Sequence, residues 1–128
     1  MEYHNLTMKN TFYKVFDNIG FDFIIQNDKF VMGNPLKGYN LLDSTQVGYY
    51  IPYIVRNHIN NNIEYEIGVG YIIADNNKIL IERYQIVKSS NNNQLVNFSN
   101  SNKREFYIFA NETTFNTGFN KIGRAHVW

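Results

Sequence analysis

Residues 63–87 read IEYEIGVGYIIADNNKILIERYQIV, two apolar-rich runs around the polar stretch Ala74-Asp75-Asn76-Asn77-Lys78. Ile63, Tyr65, Ile67, Val69, Tyr71 and Ile73 recur at every second position, which predicts a strand with one buried face. Asn76 and Asn77 both tolerate positive φ, so the pair suits a tight two-residue hairpin turn. That turn places Ile67 opposite Ile86, Val69 opposite Tyr84 and Ile73 opposite Leu80, a coherent apolar face. On the other face Gly68 and Gly70 leave a gap opposite Gln85 and Arg83. Arg83 can lie across the glycines and reach Glu66, so Glu66, Gly68, Gly70 and Arg83 are expected to form a structural brace.

Outward from this hairpin the chain reads as strands and turns. Aromatics are 16% of the 128 residues, ten Tyr, ten Phe and one Trp, and with many Ile and Val they favour strand over helix. Phe12–Phe16 and Phe21–Gln26 are short apolar runs separated by Asp17-Asn18-Ile19-Gly20. Asn27-Asp28 is a second turn before Lys29–Met32, and Gly33-Asn34-Pro35 breaks the pattern. Gly38 marks another bend, and Tyr39–Gln46 reads as a loop or a single helical turn. Val47–Arg56 is a strand in which Pro52 removes one ladder donor, which predicts an edge or a bulge there. Asn57–Asn62 is expected to turn the chain into the central hairpin. Lys88–Gln94 reads as a polar loop, Leu95–Ser99 as a short strand, Asn100–Lys103 as a turn and Arg104–Ala110 as the last strand.

Turn signals every eight to twelve residues and no sustained 3.6-residue period predict an all-β fold, a small antiparallel sandwich or barrel-like module with little helix. One domain is expected over 12–111, preceded by a segment at 1–11 and followed by a linker or truncated continuation at 112–121. Ile122-Gly-Arg-Ala-His-Val127 looks like a translated sequencing-library adapter, so 122–128 is expected to be an artefactual tail on a chain assembled from environmental reads. The chain has 21 asparagines, and clusters such as Asn60–Asn62 and Asn91–Asn93 sit where turns are needed.

A formal net charge of +1 creates no field that would gather nucleic acid or an anionic membrane. The absence of cysteine excludes disulfides, thiolate metal sites and a cysteine nucleophile. No run is long enough to cross a membrane as a helix. His4, His58 and His126 show no metal-ligand spacing, and His58 reads as a solvated turn residue. Glu64, Glu66 and Glu82 supply the two carboxylates that glycoside hydrolysis needs, but Glu64 and Glu66 read as solvated positions on one strand face. Ser89, Ser90, Ser99 and Ser101 lack an adjacent histidine or a nucleophile-elbow pattern. Gly68-Val69-Gly70 lies inside a strand pattern, which suits a bulge rather than a phosphate loop. No catalytic residue, metal or cofactor is therefore expected. Tyr49, Tyr50 and Tyr53 are candidates for ligand or subunit contact, with core and cross-strand packing as the simpler role.

Seven segments occur in an order that resembles a module of tailed-phage tail fibres and related virion appendages. They are Gly38-Tyr39, Gly48-Tyr49-Tyr50-Ile51, Tyr65-Glu66-Ile67-Gly68-Val69-Gly70, Leu80-Ile81-Glu82-Arg83, Val87-Lys88-Ser89-Ser90-Asn91, Val96-Asn97-Phe98-Ser99 and Lys103-Arg104-Glu105-Phe106. Tyr65 stands where that family has Trp, and extra residues around Arg56–Asn62 separate two strands. The resemblance implies a non-enzymatic adaptor in an extracellular particle, joining other virion proteins and presenting a receptor-binding element. It also implies self-association as a homotrimer. The competing expectation is a carbohydrate-binding module that meets host surface glycans through Tyr and Asn side chains.

Overall fold

A computed structural model describes residues 18–101 and 103–108. Six antiparallel strands close into a barrel in the order β1-β2-β5-β4-β3-β6. They are β1 (Gly20–Gln26), β2 (Lys29–Pro35), β3 (Tyr50–Ile59), β4 (Asn62–Asp75), β5 (Lys78–Ser89) and β6 (Arg104–Ile108). The fold is the all-β, barrel-like module expected. The expected segments at 1–11 and 12–16, the end of the last strand at Phe109 and Ala110, and everything from 112 onward lie outside the described residues.

Asparagine chemistry makes the reversals. Asn27 and Asp28 (φ 53° and 62°) join β1 to β2, and Asn76 and Asn77 (φ 50° and 65°) join β4 to β5. Two consecutive left-handed residues give the turn whose twist matches the flanking strands, and Asn and Asp adopt it at lower cost than other side chains. Between β2 and β3 the helical reading of Tyr39–Gln46 holds for one 3-10 turn, Ser44–Gln46. Asp43 caps it by accepting from Thr45 N at 2.9 Å while Gln46 Oε1 accepts from Asp43 N at 2.7 Å.

Several boundaries differ from the sequence reading. β2 runs on through Gly33-Asn34-Pro35, because Asn34 N donates to the Asp22 carboxylate at 2.7 Å and Pro35 still pairs with Phe21. β3 continues through Asn57 and His58 to Ile59, so His58 is a strand residue paired with Glu105 at 3.2 Å, not a turn residue. Pro52 is not on an edge strand: it pairs with Val69, and the described β3–β6 ladder begins one residue later at Tyr53↔Ile108. β5 extends to Ser89, and Leu95–Ser99 is no strand. It forms an extended strap between β5 and β6.

The core is aromatic. Phe106 stacks on Phe21 at 4.6 Å and on Tyr53 at 5.4 Å, and Phe30 meets Phe106 and Tyr53 edge-on at 5.6 and 5.5 Å. Offset and edge-to-face pairs of this kind add about 0.5–1.5 kcal/mol each beyond the area they bury. Phe98 of the strap reaches Phe23 at 6.0 Å and closes the cluster.

The main surprise lies in β4. Its inward positions are Glu64, Glu66, Gly68, Gly70 and Ile72, paired with Asn57, Val55, Tyr53, Ile51 and Ile81 of its neighbours. Most of the alternating set at 63–73 faces out: Ile63 is 50% exposed, and Tyr65, Ile67, Tyr71 and Ile73 are half-buried, while Val69, beside the first bulge, is fully buried with the core. Volume explains the inversion. A six-stranded barrel has a narrow interior, and rings from β1, β2, β3 and β6 fill it, so β4 must present glycine. The hairpin register holds from Asp75↔Lys78 to Gly70↔Arg83 and then slips twice, putting Val69 opposite Gln85 and Ile67 opposite Lys88. Tyr84 and Val87 are the extra residues. Bulges of this kind supply the curvature that closure demands.

Candidate functional site

β4 aims two carboxylates into the barrel, and β5 meets them with a guanidinium. Arg83 Nε donates to Glu66 Oε2 at 2.9 Å, with the two side chains 2% and 0% exposed. Tyr53 Oη donates to the same oxygen at 2.6 Å. The strap completes the set: Val96 N donates to Glu66 Oε1 at 2.9 Å, and Arg83 Nη2 donates to Val96 O at 2.7 Å. Both polar groups of one peptide residue are thus held by opposite ends of one ion pair. The Arg83 guanidinium also lies 4.3 Å from the Phe30 ring centre and 5.5 Å from that of Phe98. Such a pair persists in a low-dielectric interior because both carboxylate oxygens accept hydrogen bonds and rings flank the cation.

Two residues earlier on β4 the arrangement repeats. Glu64 Oε1 accepts from Ser99 N at 2.8 Å and from Asn57 Nδ2 at 2.9 Å, and Glu64 Oε2 accepts from Ser99 Oγ at 2.8 Å. Asn57 Nδ2 also donates to Ser99 O at 2.7 Å. Arg104 Nη2 donates to the carbonyls of Phe98 and Ser99, each at 2.9 Å. Burial works to raise the Glu64 carboxyl, but the donors from Ser99 and Asn57, with the Arg104 charge, outweigh it and hold its pKa below the ordinary 4.5. Tyr53 moves the other way. Burial, then the Glu66 charge and its hydrogen bond, push the phenol well above its ordinary 10.0.

The expected brace residues therefore meet, with one rearrangement. Tyr53, not Arg83, occupies the gap above the glycines: a Cβ on Gly68 would land on Gln85 O and 2.9 Å from Tyr53 Oη, and one on Gly70 would sit 3.3 Å from Tyr53 Cδ2. Glu66 is not a solvated strand position, since it is fully buried and accepts from the strap; Glu64 stays partly exposed at the barrel end while accepting from Ser99. Tyr53 is 0% exposed, so it belongs to the core rather than to any ligand or subunit contact. Tyr49 and Tyr50 pack partly against that core. Tyr50 lies at the centre of an outer-face cluster, 4.7 Å from Tyr71 and 4.8 Å from Tyr84 between ring centres. Burial, then Tyr84, Tyr71 and Glu82, raise its phenol.

No family model, curated protein or solved structure matches this chain.

Among the described residues, no three His, Asp or Glu side chains converge as metal ligands would. Asn57, Ser99 and Arg104 are part of the constellation that the sequence did not reveal. Their only signal was spacing: Glu64 and Glu66 on one face, and Val96 and Ser99 three residues apart in an extended segment.

Proposed function

We propose that this chain is a non-enzymatic structural or adaptor module of a tailed-phage tail fibre or related virion appendage, contributing to assembly or to presentation of a host-receptor-binding element. The observation that carries the non-catalytic part is the use made of the inward-facing polar groups. Glu66, Arg83, Tyr53, Glu64 and the Asn57 amide nitrogen are hydrogen-bonded to one another and to the strap backbone. A general acid or base must face a substrate in a cleft. These groups instead fix the chain's own main chain inside a filled barrel, which suits a rigid part of an assembly. The virion assignment rests on the ordered motifs from Gly38 to Phe106, several of which fall on structural positions: the Glu66/Gly68/Gly70 strand, Arg83 and the Val96–Ser99 strap. Sequencing the source locus tests it. Neighbouring capsid, portal or tail genes support the proposal, and a cellular operon around an uninterrupted reading frame contradicts it.

A second reading has one specific observation behind it, the Tyr50, Tyr71 and Tyr84 cluster on the outer face with Tyr84 37% exposed. Aromatic rings beside Glu82 offer stacking and a hydrogen-bond acceptor, the chemistry a host surface glycan needs. Saturable glycan binding lost on Tyr71→Ala supports this reading, and no binding across a glycan array leaves the adaptor role alone.

A further inference from the structure

The strap Leu95–Ser101 lies against the barrel interior without joining any strand, and β6 follows it directly. We propose that the strap and β6 form one exchangeable unit, residues 95–108, which two copies of this chain swap using Asn91–Asn93 as the hinge. The partner is a second copy of this chain, and the proposal stands independently of the phage reading.

Recognition comes first. Glu66 and Arg83 bind the N–H and C=O of Val96, and Glu64 and Asn57 bind the N–H and C=O of Ser99. Val96 and Phe98 are 4% and 5% exposed, their side chains sunk into the core. These contacts define a receptor for one extended segment in one register, and they are indifferent to which copy supplies it. β6 closes the barrel through a short seam to β1, with only Gly20↔Tyr107 and Phe21↔Phe106 in register among the described residues. That seam and β2–β5 are the shortest ladders around the barrel, with two register pairs each among the described residues, while β6 meets β3 over five, from Tyr53↔Ile108 to Asn57↔Arg104. Exchange carries both β6 ladders to the neighbouring copy, and β1 to β5 stay paired through β1–β2, β2–β5, β5–β4 and β4–β3.

The hinge supplies the second half of the argument. Asn91 and Gln94 form an isolated antiparallel bridge around Asn92 (φ 54°) and Asn93 (φ 63°), which reverses the chain sharply after β5. Asn93 Oδ1 accepts from Ser89 N at 3.1 Å, and Ser89 Oγ donates to Gln94 O. Asn92 and Asn93 hold the same left-handed pair that closes the β1–β2 and β4–β5 hairpins, but here the pair joins β5 to a segment with no ladder, so extending it breaks the Asn91↔Gln94 bridge and no strand ladder. Opening it gives up the Asn91 Nδ2 bond to Leu95 O at 2.9 Å and the Ser89 contacts, while the strap contacts made by Glu66, Arg83, Glu64 and Asn57 stay available from a neighbouring copy. Under those conditions protein concentration sets the balance between closed and swapped forms, and a hinge biased against reversal favours exchange.

The test uses the full chain and two hinge variants. Asn93→Pro forbids the positive φ, and Asn93→Gly makes it easy. Each is unfolded, refolded and sized by light scattering, with far-UV circular dichroism reporting the barrel. The expected result is at least a tenfold rise in oligomer fraction for Asn93→Pro with the strand signal retained, and a fall for Asn93→Gly. Two mass-tagged copies refolded together should give mixed oligomers by native mass spectrometry. Asn93→Pro remaining monomeric with an intact strand signal overturns the proposal, as does an oligomer that Asn93→Gly leaves unchanged. If Asn93→Pro does not fold, the unsubstituted chain decides: an oligomer whose fraction grows with refolding concentration supports exchange, and a monomer at every concentration overturns it.

Discussion

Arg83 donates to Glu66 across 2.9 Å in the interior of a six-stranded barrel, and the same two side chains hold the N–H and C=O of Val96. The pair therefore joins β4, β5 and the strap in one network. Removing one partner leaves an uncompensated buried charge, so Arg83→Met and Glu66→Leu should each cost about 3–5 kcal/mol. Replacing both, as Glu66→Leu with Arg83→Met, should cost clearly less than the sum of the single substitutions, because neither charge is then stranded. Chemical denaturation of the four proteins gives the coupling energy, and a value near zero contradicts the brace.

Tyr53 gives the network a signature at high pH. Its hydroxyl donates to Glu66 Oε2 at 2.6 Å, so Tyr53→Phe should lose about 1.5–3 kcal/mol, the usual worth of a hydrogen bond to a charged group. Its folded pKa lies above the ordinary 10.0, so above pH 10 the unfolded chain releases a proton that the folded chain retains. Stability should fall as pH rises through that range, and Tyr53→Phe should flatten part of the fall.

Glu64 gives the acidic counterpart. Its folded pKa is below 4.5, so its contribution is complete above the ordinary carboxylate range and is lost as pH falls through the folded value. Acid unfolding curves for the unsubstituted chain and Glu64→Gln should converge at low pH and separate above it. Curves that stay parallel throughout would detach Glu64 from the strap.

Gly68 and Gly70 should tolerate a methyl group unequally. At Gly68 the new Cβ would strike the Gln85 carbonyl oxygen of the adjoining strand, a backbone atom that cannot step aside. At Gly70 it would meet Ile81 Cγ2 at 2.5 Å, a side-chain methyl that can give way only if the buried Ile81 repacks. Overpacking of this kind costs about 1–3 kcal/mol. Gly68→Ala belongs at the upper end and Gly70→Ala at the lower, readable as a difference in thermal midpoint.

The turns were legible because Asn-Asn and Asn-Asp at two-residue spacing have few other uses, and Asp75↔Lys78 through Gly70↔Arg83 pair as the sequence implies. The orientation of β4 was not. Alternation identifies two faces without saying which one points inward, and in a narrow barrel the inner face takes glycine and paired charge while the outer face takes Tyr and Ile. Tyr84 and Val87 could not be recognised as bulge residues, since nothing local distinguishes them from ladder residues. Leu95–Ser99 has the composition of a strand, yet its partners are side chains from β3, β4, β5 and β6, a long-range arrangement with no period of its own. The Glu66–Arg83 pairing was readable because a glycine gap on one strand and opposed charges on a hairpin are both local features.

Amide hydrogen exchange at Val96 tests the central claim most directly. Val96 N lies in a segment with no ladder of its own, and its hydrogen bond goes to Glu66 Oε1 at 2.9 Å inside the barrel. A brace that holds the strap predicts Val96 exchanging as slowly as the β4 and β5 amides, while Asn97, exposed beside it, exchanges quickly. Val96 exchanging at the rate of an open loop, with the barrel strands still protected, would contradict the account.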